Sequence, residues 1–382
     1  IYCSAPQGKL GKPARVLCGF DKTRTLQPGE SQTLSFEIPL ESVASYDDSG
    51  VTGHKSAWIL EQGGYVFYAG ADVRSASEAY SLTLPETVVR QCKSALGPLT
   101  AFKRMVNSSG KPEFEDVPLT GEAFPHDHAK LPAEIPQTGD RGIRLADVVN
   151  GKNTLEEFTA QLTDYDLSCI IRGEGMGSPK VTAGTAAAFG GVSDTLTALG
   201  IPCACCDDGP SGMRLDCGTK AFSLPNGTLL ASTFDRPLMT ELFTFMGLEM
   251  HTNQVDCLLG PGMNIHRHPL NGRNFEYFSE DPYLTGEMAS AELAGLHSTG
   301  AEGTIKHFCG NNRETRRHFL DSVISERALR EIYLRGFEKA VKKGGAKSVM
   351  TTYGQVNGVW TAGNYGLVTG ILRDDWGFDG FT

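Results

Sequence analysis

The sequence predicts two folds in series: an all-β sandwich, then an α/β unit built as an incomplete (β/α) barrel. Residues 1–91 alternate apolar and polar positions between turn residues, whereas from Arg141 onward short apolar runs alternate with longer segments of helical period. No G-x-G-x-x-G follows the first apolar run of the second part, so the nucleotide fingerprint of an open doubly wound sheet is missing. Polar residues recur after nearly every apolar run, as expected where the loops at one end of a barrel build a site.

In the sandwich, Leu34, Phe36 and Ile38 alternate after the turn Pro28-Gly29-Glu30-Ser31. Trp58-Ile59-Leu60 precedes Gly63-Gly64 and the run Tyr65-Val66-Phe67-Tyr68. Ile1 to Pro6 reads as the tail of a strand whose start is missing. Across residues 92–136 periodicity fades, and Pro112, Pro118, Pro125, Pro132 and Pro136 punctuate a polar stretch expected to be a linker wrapped on a surface.

Residues 137–382 carry the barrel. Thr154-Leu155-Glu156-Glu157 is a capping box, since Thr154 can accept from the third amide while Glu157 reaches back. The buried-looking run Leu167-Ser168-Cys169-Ile170-Ile171 is expected to be the first strand. Then follow strand Ile201 to Cys206, helix Pro237 to Met250, strand Cys257 to Leu259, helix Glu287 to Leu296 and strand Thr304 to Phe308. A helix from Ser325 to Val341 is stopped by Gly344-Gly345. Strand Ser348 to Met350, helix Tyr365 to Leu372 and a last strand start at Phe378 complete the series. Such a set is short of the eight strands that close a barrel.

With 382 residues, 40% hydrophobic and 21% charged, the chain has ample core for two or three domains. A net charge of -10 without a long Lys/Arg cluster argues against nucleic acid or an anionic membrane as partner, and no apolar stretch has the length of a membrane span. The tightest group of the ten Cys, Cys203-Ala204-Cys205-Cys206, has no second C-x-x-C to pair with and no nearby His ligands. They read as small buried residues, with no metal and no cofactor implied. Unpaired thiols suit a reducing compartment, and a cytoplasmic location is expected. Asn107-Ser108-Ser109 and Asn226-Gly227-Thr228 match a glycosylation sequon, a pattern too common to decide anything.

The residues just past the strands carry the chemistry. They are Arg172 to Gly175, Asp207-Asp208-Gly209-Pro210, Gly260 to Asn264 leading into Asn271-Gly272-Arg273-Asn274-Phe275-Glu276, then Lys306-His307, and Thr351 to Gly358 with Tyr353. Sugar hydroxyls both donate and accept, so a carboxylate taking two donors beside Arg, Lys and His makes a polyol site. Each residue also has a plainer role. Asp208 before Gly-Pro can cap a turn, Arg273 can pair with Glu276 or Glu280, and His307 can be a satisfied core histidine.

The segments GEGMGSPKVTAGT, DDGPSGMR, GPGMNIHRHPLNGRNFEYFSEDPYLTGEMA, IKHFCGNNRETRRH, SERALREIYLRGFEKAV, VMTTYGQVNG and LRDDWGFDG run from Ile135 to Thr382. Together they resemble the N-terminal barrel domain of glycoside hydrolase family 3, the β-glucosidase type. SAPQGKLGKPARVLCGF, LQPGESQTLSFEI and YVFYAGADVR resemble the fibronectin type III-like domain that accompanies it. The expected division is a fibronectin type III-like β-sandwich at 1–91, a linker at 92–136 and the barrel domain at 137–382, truncated at its C-terminal end. The order resembles the inverted subgroup, in which an α/β sandwich leads, so such a domain is expected upstream of Ile1 and the chain is expected to be a fragment.

The resemblance implies a retaining exo-β-glycosidase, most nearly a β-glucosidase, acting on β-linked glucosides or oligosaccharides through a glycosyl-enzyme intermediate. Asp208, Arg273, Lys306 and His307 would hold hydroxyls of the -1 sugar, and Tyr353 would sit near the nucleophile and ring oxygen. The nucleophile Asp would follow Thr382 in a S/T-D-W motif, and the acid/base Glu would lie upstream of Ile1. The 382 residues alone are thus expected to be inactive. A β-xylosidase or arabinofuranosidase of the same family, or a non-catalytic carbohydrate-binding protein, are the alternatives, and a homo-oligomer is compatible with any of them. Cys309 and Gly354 stand where β-glucosidases more often have Ala and Asn. The loop Cys309-Gly310-Asn311-Asn312 lacks the Pro-Gly-His of the N-acetylglucosaminidase branch.

Overall fold

A computed structural model describes residues 1–108, 111–119 and 133–382. Pro125 and Pro132, and Ser109 of the first sequon, lie outside the described residues.

The first part is an antiparallel sandwich. One sheet has the order β2-β1-β5-β6, from β1 (Tyr2–Ser4), β2 (Val16–Leu17), β5 (Gly63–Ala69) and β6 (Ser77–Leu84). The other joins β3 (Ser45–Asp47), β4 (Ala57–Leu60) and β7 (Thr87–Gln91). Period-two patterning turns one face of each sheet inward, and Cys3, Cys18, Val43, Leu60 and Tyr65 form the buried cluster. Leu34, Phe36 and Ile38 are half-buried alternately with exposed neighbours, as their spacing predicts, but they pair in no strand.

The stretch expected to be a linker wrapped on a surface contains an antiparallel hairpin, β8 (Lys103–Ser108) with β9 (Lys111–Asp116). Its apolar residues face outward, with Met105 and Phe114 both exposed. A two-sided polar ribbon leaves no apolar alternation to read.

Short helices α1 (Leu145–Val149), α2 (Leu155–Ala160) and α3 (Asp164–Arg172) open the second part. Thr154 accepts from the Glu157 amide and Glu157 accepts from the Thr154 amide, the capping box read from the sequence. The run Leu167–Ile171, expected to be the first strand, is instead α3. A second capping box starts it, with Thr163 accepting from the Asp166 amide and Asp166 reaching back, and Ile171 is 86% exposed. Accordingly, Arg172 ends a helix and Gly173 to Gly175 follow it.

The first strand of this part is β10 (Ala187–Gly190). After α4 (Asp194–Ala198) come β11 (Cys203–Asp208), α5 (Gly227–Ser232), α6 (Arg236–Thr252), β12 (Cys257–Leu259), α7 (Pro282–His297) and β13 (Glu302–Phe308). β14 (Asp321–Ser322), α8 (Glu326–Ala328), a π turn into α9 (Arg335–Lys342), β15 (Ser348–Thr351), β16 (Gln355–Val356) and β17 (Val359–Trp360) follow, then a helical segment of π type, Gly366–Asp375. The sheet runs β10-β11-β12-β13-β15, with β10 antiparallel and the other neighbours parallel. Phe381 bridges Ser348 in parallel beyond it. This is part of a (β/α) barrel wall.

Inside the wall, Cys257 Sγ meets the Thr304 hydroxyl at 3.0 Å and Thr304 meets Ser348 at 2.7 Å, so the polar atoms of three adjacent strands satisfy one another. Eight of the ten Cys are buried; Cys203 is half-buried and Cys217 exposed. Gly303 is needed where β13 starts, since a Cβ there would lie 2.7 Å from Leu293 and 2.9 Å from the Gly260 carbonyl.

The sandwich is fastened to α8 and α9. Glu326 accepts from the Tyr46 hydroxyl, the Ser94 hydroxyl and the Ala95 amide, and Arg90 reaches Glu338 at 2.8 Å. Charged residues thus line the interface, and most are paired. Among the described residues no helix is long and apolar enough to cross a membrane.

Candidate active site

The parallel strands deliver their last residues to one end of the wall. Asp208 ends β11, Gly260 to Asn264 follow β12, Lys306 and His307 lie near the end of β13, and Tyr353 follows β15. A parallel sheet with short strands puts such residues in one layer.

Lys306 is almost fully buried, and its ammonium lies 2.8 Å from Asp208 Oδ1 and 3.6 Å from Glu276 Oε2. Glu276, 4% exposed, also binds Arg273 Nε. Two cations and two carboxylates therefore alternate in the order Arg273, Glu276, Lys306, Asp208. The Asp208 side chain is 41% exposed, so the cluster ends on a carboxylate open to solvent. Glu276 is the pairing considered for Arg273 from sequence; Glu280 is not its partner.

Asn264 holds His307 in place. Its carbonyl oxygen accepts the His307 amide and its amide donates to the His307 carbonyl, both at 2.9 Å. On the ring, Nδ1 lies 3.2 Å from the Tyr277 hydroxyl and 3.3 Å from Asn264 Oδ1. Asn311 Nδ2 donates to the Tyr277 oxygen at 3.0 Å. Burial, then the cations Arg273, Lys306 and Arg317, push the imidazole down to about 2. His307 is neutral.

Tyr353 stands apart from this cluster. It is 57% exposed, with its ring 4.5 Å from that of His318 and the Arg317 guanidinium 5.0 Å from its centroid. Arg317 pairs with Glu314, which accepts from Asn311, so Tyr353 is joined to the Tyr277–His307 pair only through intermediaries. A side chain at Gly354 would place a Cβ 2.8 Å from the Leu320 carbonyl, which favours glycine there. Cys309 is buried, and burial raises its thiol.

The sequence reading named four of the clustered residues and missed their supports. Glu276 entered it only as a structural partner of Arg273. Asn264 left a signal in being polar between the apolar Met263 and Ile265, whereas Tyr277 left none. Asp207, beside Asp208 but fully buried, accepts from the Arg214 amide, and burial raises its carboxyl to about 6. Among the described residues no group of three His, Cys, Asp or Glu side chains is placed to hold a metal. The arrangement offers hydrogen-bond donors and an open carboxylate to a neutral, hydroxyl-rich ligand.

Residues 139–382 match the model of the glycosyl hydrolase family 3 N terminal domain, and residues 1–73 match that of the fibronectin type III-like domain. A beta-glucosidase from Ruminococcus albus is 66% identical over 384 residues, covering 100% of this chain and 40% of the relative. Beta-glucosidase A from Butyrivibrio fibrisolvens is 40% identical over 408 residues, covering 100% of this chain and 48% of the relative. The crystal structure of a beta-glucosidase from Paenibacillus barengoltzii superposes with a TM-score of 0.96 at 53% identity, over 99% of this chain and 42% of that one. The chain thus spans less than half the length of these relatives.

Proposed function

Because the chain belongs to glycoside hydrolase family 3, we propose that it carries the -1 sugar site of a β-glucosidase that removes terminal non-reducing β-D-glucosyl residues. The observation that carries this reading is the Lys306–Asp208 pair, a buried cation holding a half-open carboxylate beside a neutral imidazole. The three relatives bearing the β-glucosidase name support it.

In this reading Asp208 accepts two hydroxyl donors of the glucosyl ring. Lys306, with its stem buried and its ammonium fixed by Asp208 and Glu276, donates to a hydroxyl oxygen, and neutral His307 offers Nε2 to another hydroxyl. Arg273 positions Glu276 and so fixes Lys306. These contacts tighten as the ring flattens toward its oxocarbenium-like transition state. The mechanism proposed is retention through a glycosyl-enzyme intermediate, and we assign neither the nucleophile nor the acid/base carboxylate to these 382 residues. Tyr353 is proposed near the nucleophile. The same reading divides the chain into a fibronectin type III-like sandwich at 1–91, a connecting segment at 92–136 and barrel at 137–382.

Incubation of the full-length protein with an aryl β-glucoside tests the function. Turnover supports it, and binding of glucose without turnover favours a carbohydrate-binding protein. Turnover by residues 1–382 alone would show that a carboxylate within them does the chemistry. Comparing glucoside with xyloside rates separates β-glucosidase from β-xylosidase.

A further inference from the structure

Strand β11 ends in two aspartates that face opposite ways. Asp208 turns to Lys306 with its carboxylate half open to solvent, whereas Asp207, one residue earlier, is fully buried. The Arg214 amide joins them. It donates to the Asp208 carbonyl at 2.9 Å and to Asp207 Oδ2 at 3.1 Å, so a buried carboxyl group and the peptide of the ligand-facing residue share one donor. The turn between has no slack, since Gly209 and Gly212 hold φ of 135° and 124° and any Cβ at Gly209 would collide with the Gly212 carbonyl. A shift of the Arg214 amide is therefore passed to Asp208 rather than absorbed.

The charge of Asp207 is closely balanced. The titratable groups around it are Asp208 beside it, Arg214 and Asp216 from the following loop, and the thiols of Cys205 and Cys217. Leu258 of β12 pairs with it, and on the other side Ala187 of β10 pairs with the preceding Cys206, so neither neighbouring strand brings a charge there. Arg214 does not neutralise it, because its guanidinium is held by Asp216 at 3.0 and 2.9 Å. Burial drives the carboxyl up, the Asp208 and Arg214 amides draw it partly back, and the like charges of Asp208 and Asp216 add to the rise, leaving it at about 6. A carboxyl so placed changes charge close to neutrality.

Building on the sugar-site reading, on which it rests, we propose that Asp207 is a positioning residue for Asp208: its ionised carboxylate draws the Arg214 amide and thereby sets the strand end from which Asp208 grips the sugar. On protonation the acceptor weakens from charged to neutral, the amide swings toward the Asp208 carbonyl alone, and the Asp208 peptide turns with it. Sugar affinity accordingly falls as pH drops through the range in which Asp207 takes up its proton. Asp207 itself, being fully buried, acts only through this amide.

Calorimetric titration of the full-length protein with glucose between pH 7.5 and pH 5 tests this. Affinity is expected to fall by up to about tenfold across that range with a midpoint near 6, as the ionised fraction of Asp207 drops to about a tenth. Asp207→Asn is expected to bind glucose equally at both ends, at the weak level of the unchanged protein at pH 5. Asp216→Asn, at an exposed position, removes a like charge and is expected to move the midpoint to lower pH, which reads the coupling even where Asp207→Asn does not fold. Glucose affinity that is independent of pH in the unchanged protein would overturn the proposal. So would a pH dependence that survives Asp207→Asn, or a midpoint that Asp216→Asn leaves in place, and each of these leaves the sugar site standing. Glucose that binds at no pH would overturn the sugar-site reading, and this proposal with it.

Discussion

Lys306 and Asp208 meet across 98 positions of sequence, the lysine buried and the aspartate 41% exposed, 2.8 Å apart. The lysine has no freedom to leave, and the aspartate has one face free for a ligand. Removing Asp208 takes away the nearer partner of a buried ammonium, leaving Glu276 at 3.6 Å, as well as a ligand contact. In the full-length enzyme Asp208→Ala is expected to raise KM and lower kcat together, by about 2–4 kcal/mol in kcat/KM. Steady-state kinetics on an aryl β-glucoside measure it, and an unchanged kcat/KM removes Asp208 from the site.

Glu276→Gln keeps shape but removes the charge that Arg273 and Lys306 share. Buried Lys306 and half-buried Arg273 then lose the carboxylate between them. Activity is expected to fall more than tenfold, with a loss of stability of about 3 kcal/mol. Chemical denaturation alongside the kinetics separates the two effects.

The Glu287 carboxylate, on α7, binds Arg236, Lys339 and Lys343, from α6, α9 and the residue just after α9. Burial raises its pKa, but these three cations outweigh it and hold the carboxyl down to about 2, below an ordinary 4.5. A depressed carboxyl stabilises the fold above its unfolded value, so this contribution is fully present above pH about 4.5 and is lost as pH falls through about 2. Glu287→Gln should cost about 3 kcal/mol at pH 7 and much less at pH 3, by urea denaturation at both values. An equal loss at both would show that the carboxylate's charge is not what binds the helices.

His307 acts in the same direction, over a higher pH window. Its native pKa, about 2, lies below the ordinary 6.5, so only the unfolded chain takes up a proton between them, and stability falls as pH drops below 6.5. The ring should show a neutral imidazole by nitrogen NMR throughout pH 5–8. An imidazolium signal at pH 6 would contradict the buried arrangement.

Thr163→Ala probes the element that the sequence reading mistook. Losing the cap of α3 should cost about 1 kcal/mol in denaturant midpoint measurements. A strand at Leu167–Ile171 would be indifferent to the change.

What the sequence made legible follows from where its signals were local. Asp208, Lys306 and His307 stood out because polar residues end apolar runs, and α6 and α7 because each is a long run of helix formers with Pro in its first turn. The strand β10, Ala-Ala-Phe-Gly, has no β-branched residue and pairs antiparallel, so neither composition nor the expected parallel pattern revealed it. In α3 the apolar run outweighed the Thr163–Asp166 box. Glu276 and Asn264 act through contacts spanning 30 and 43 positions, to Lys306 and His307, which no local window contains.

The central claim is that this cluster grips a glucosyl ring. A crystal structure of the full-length protein with glucose bound tests it most directly. The account predicts two ring hydroxyls on the Asp208 carboxylate and others within hydrogen-bond reach of Lys306 Nζ and His307 Nε2, at about 2.7–3.1 Å. Glucose bound elsewhere, with the Asp208 carboxylate untouched, would contradict it.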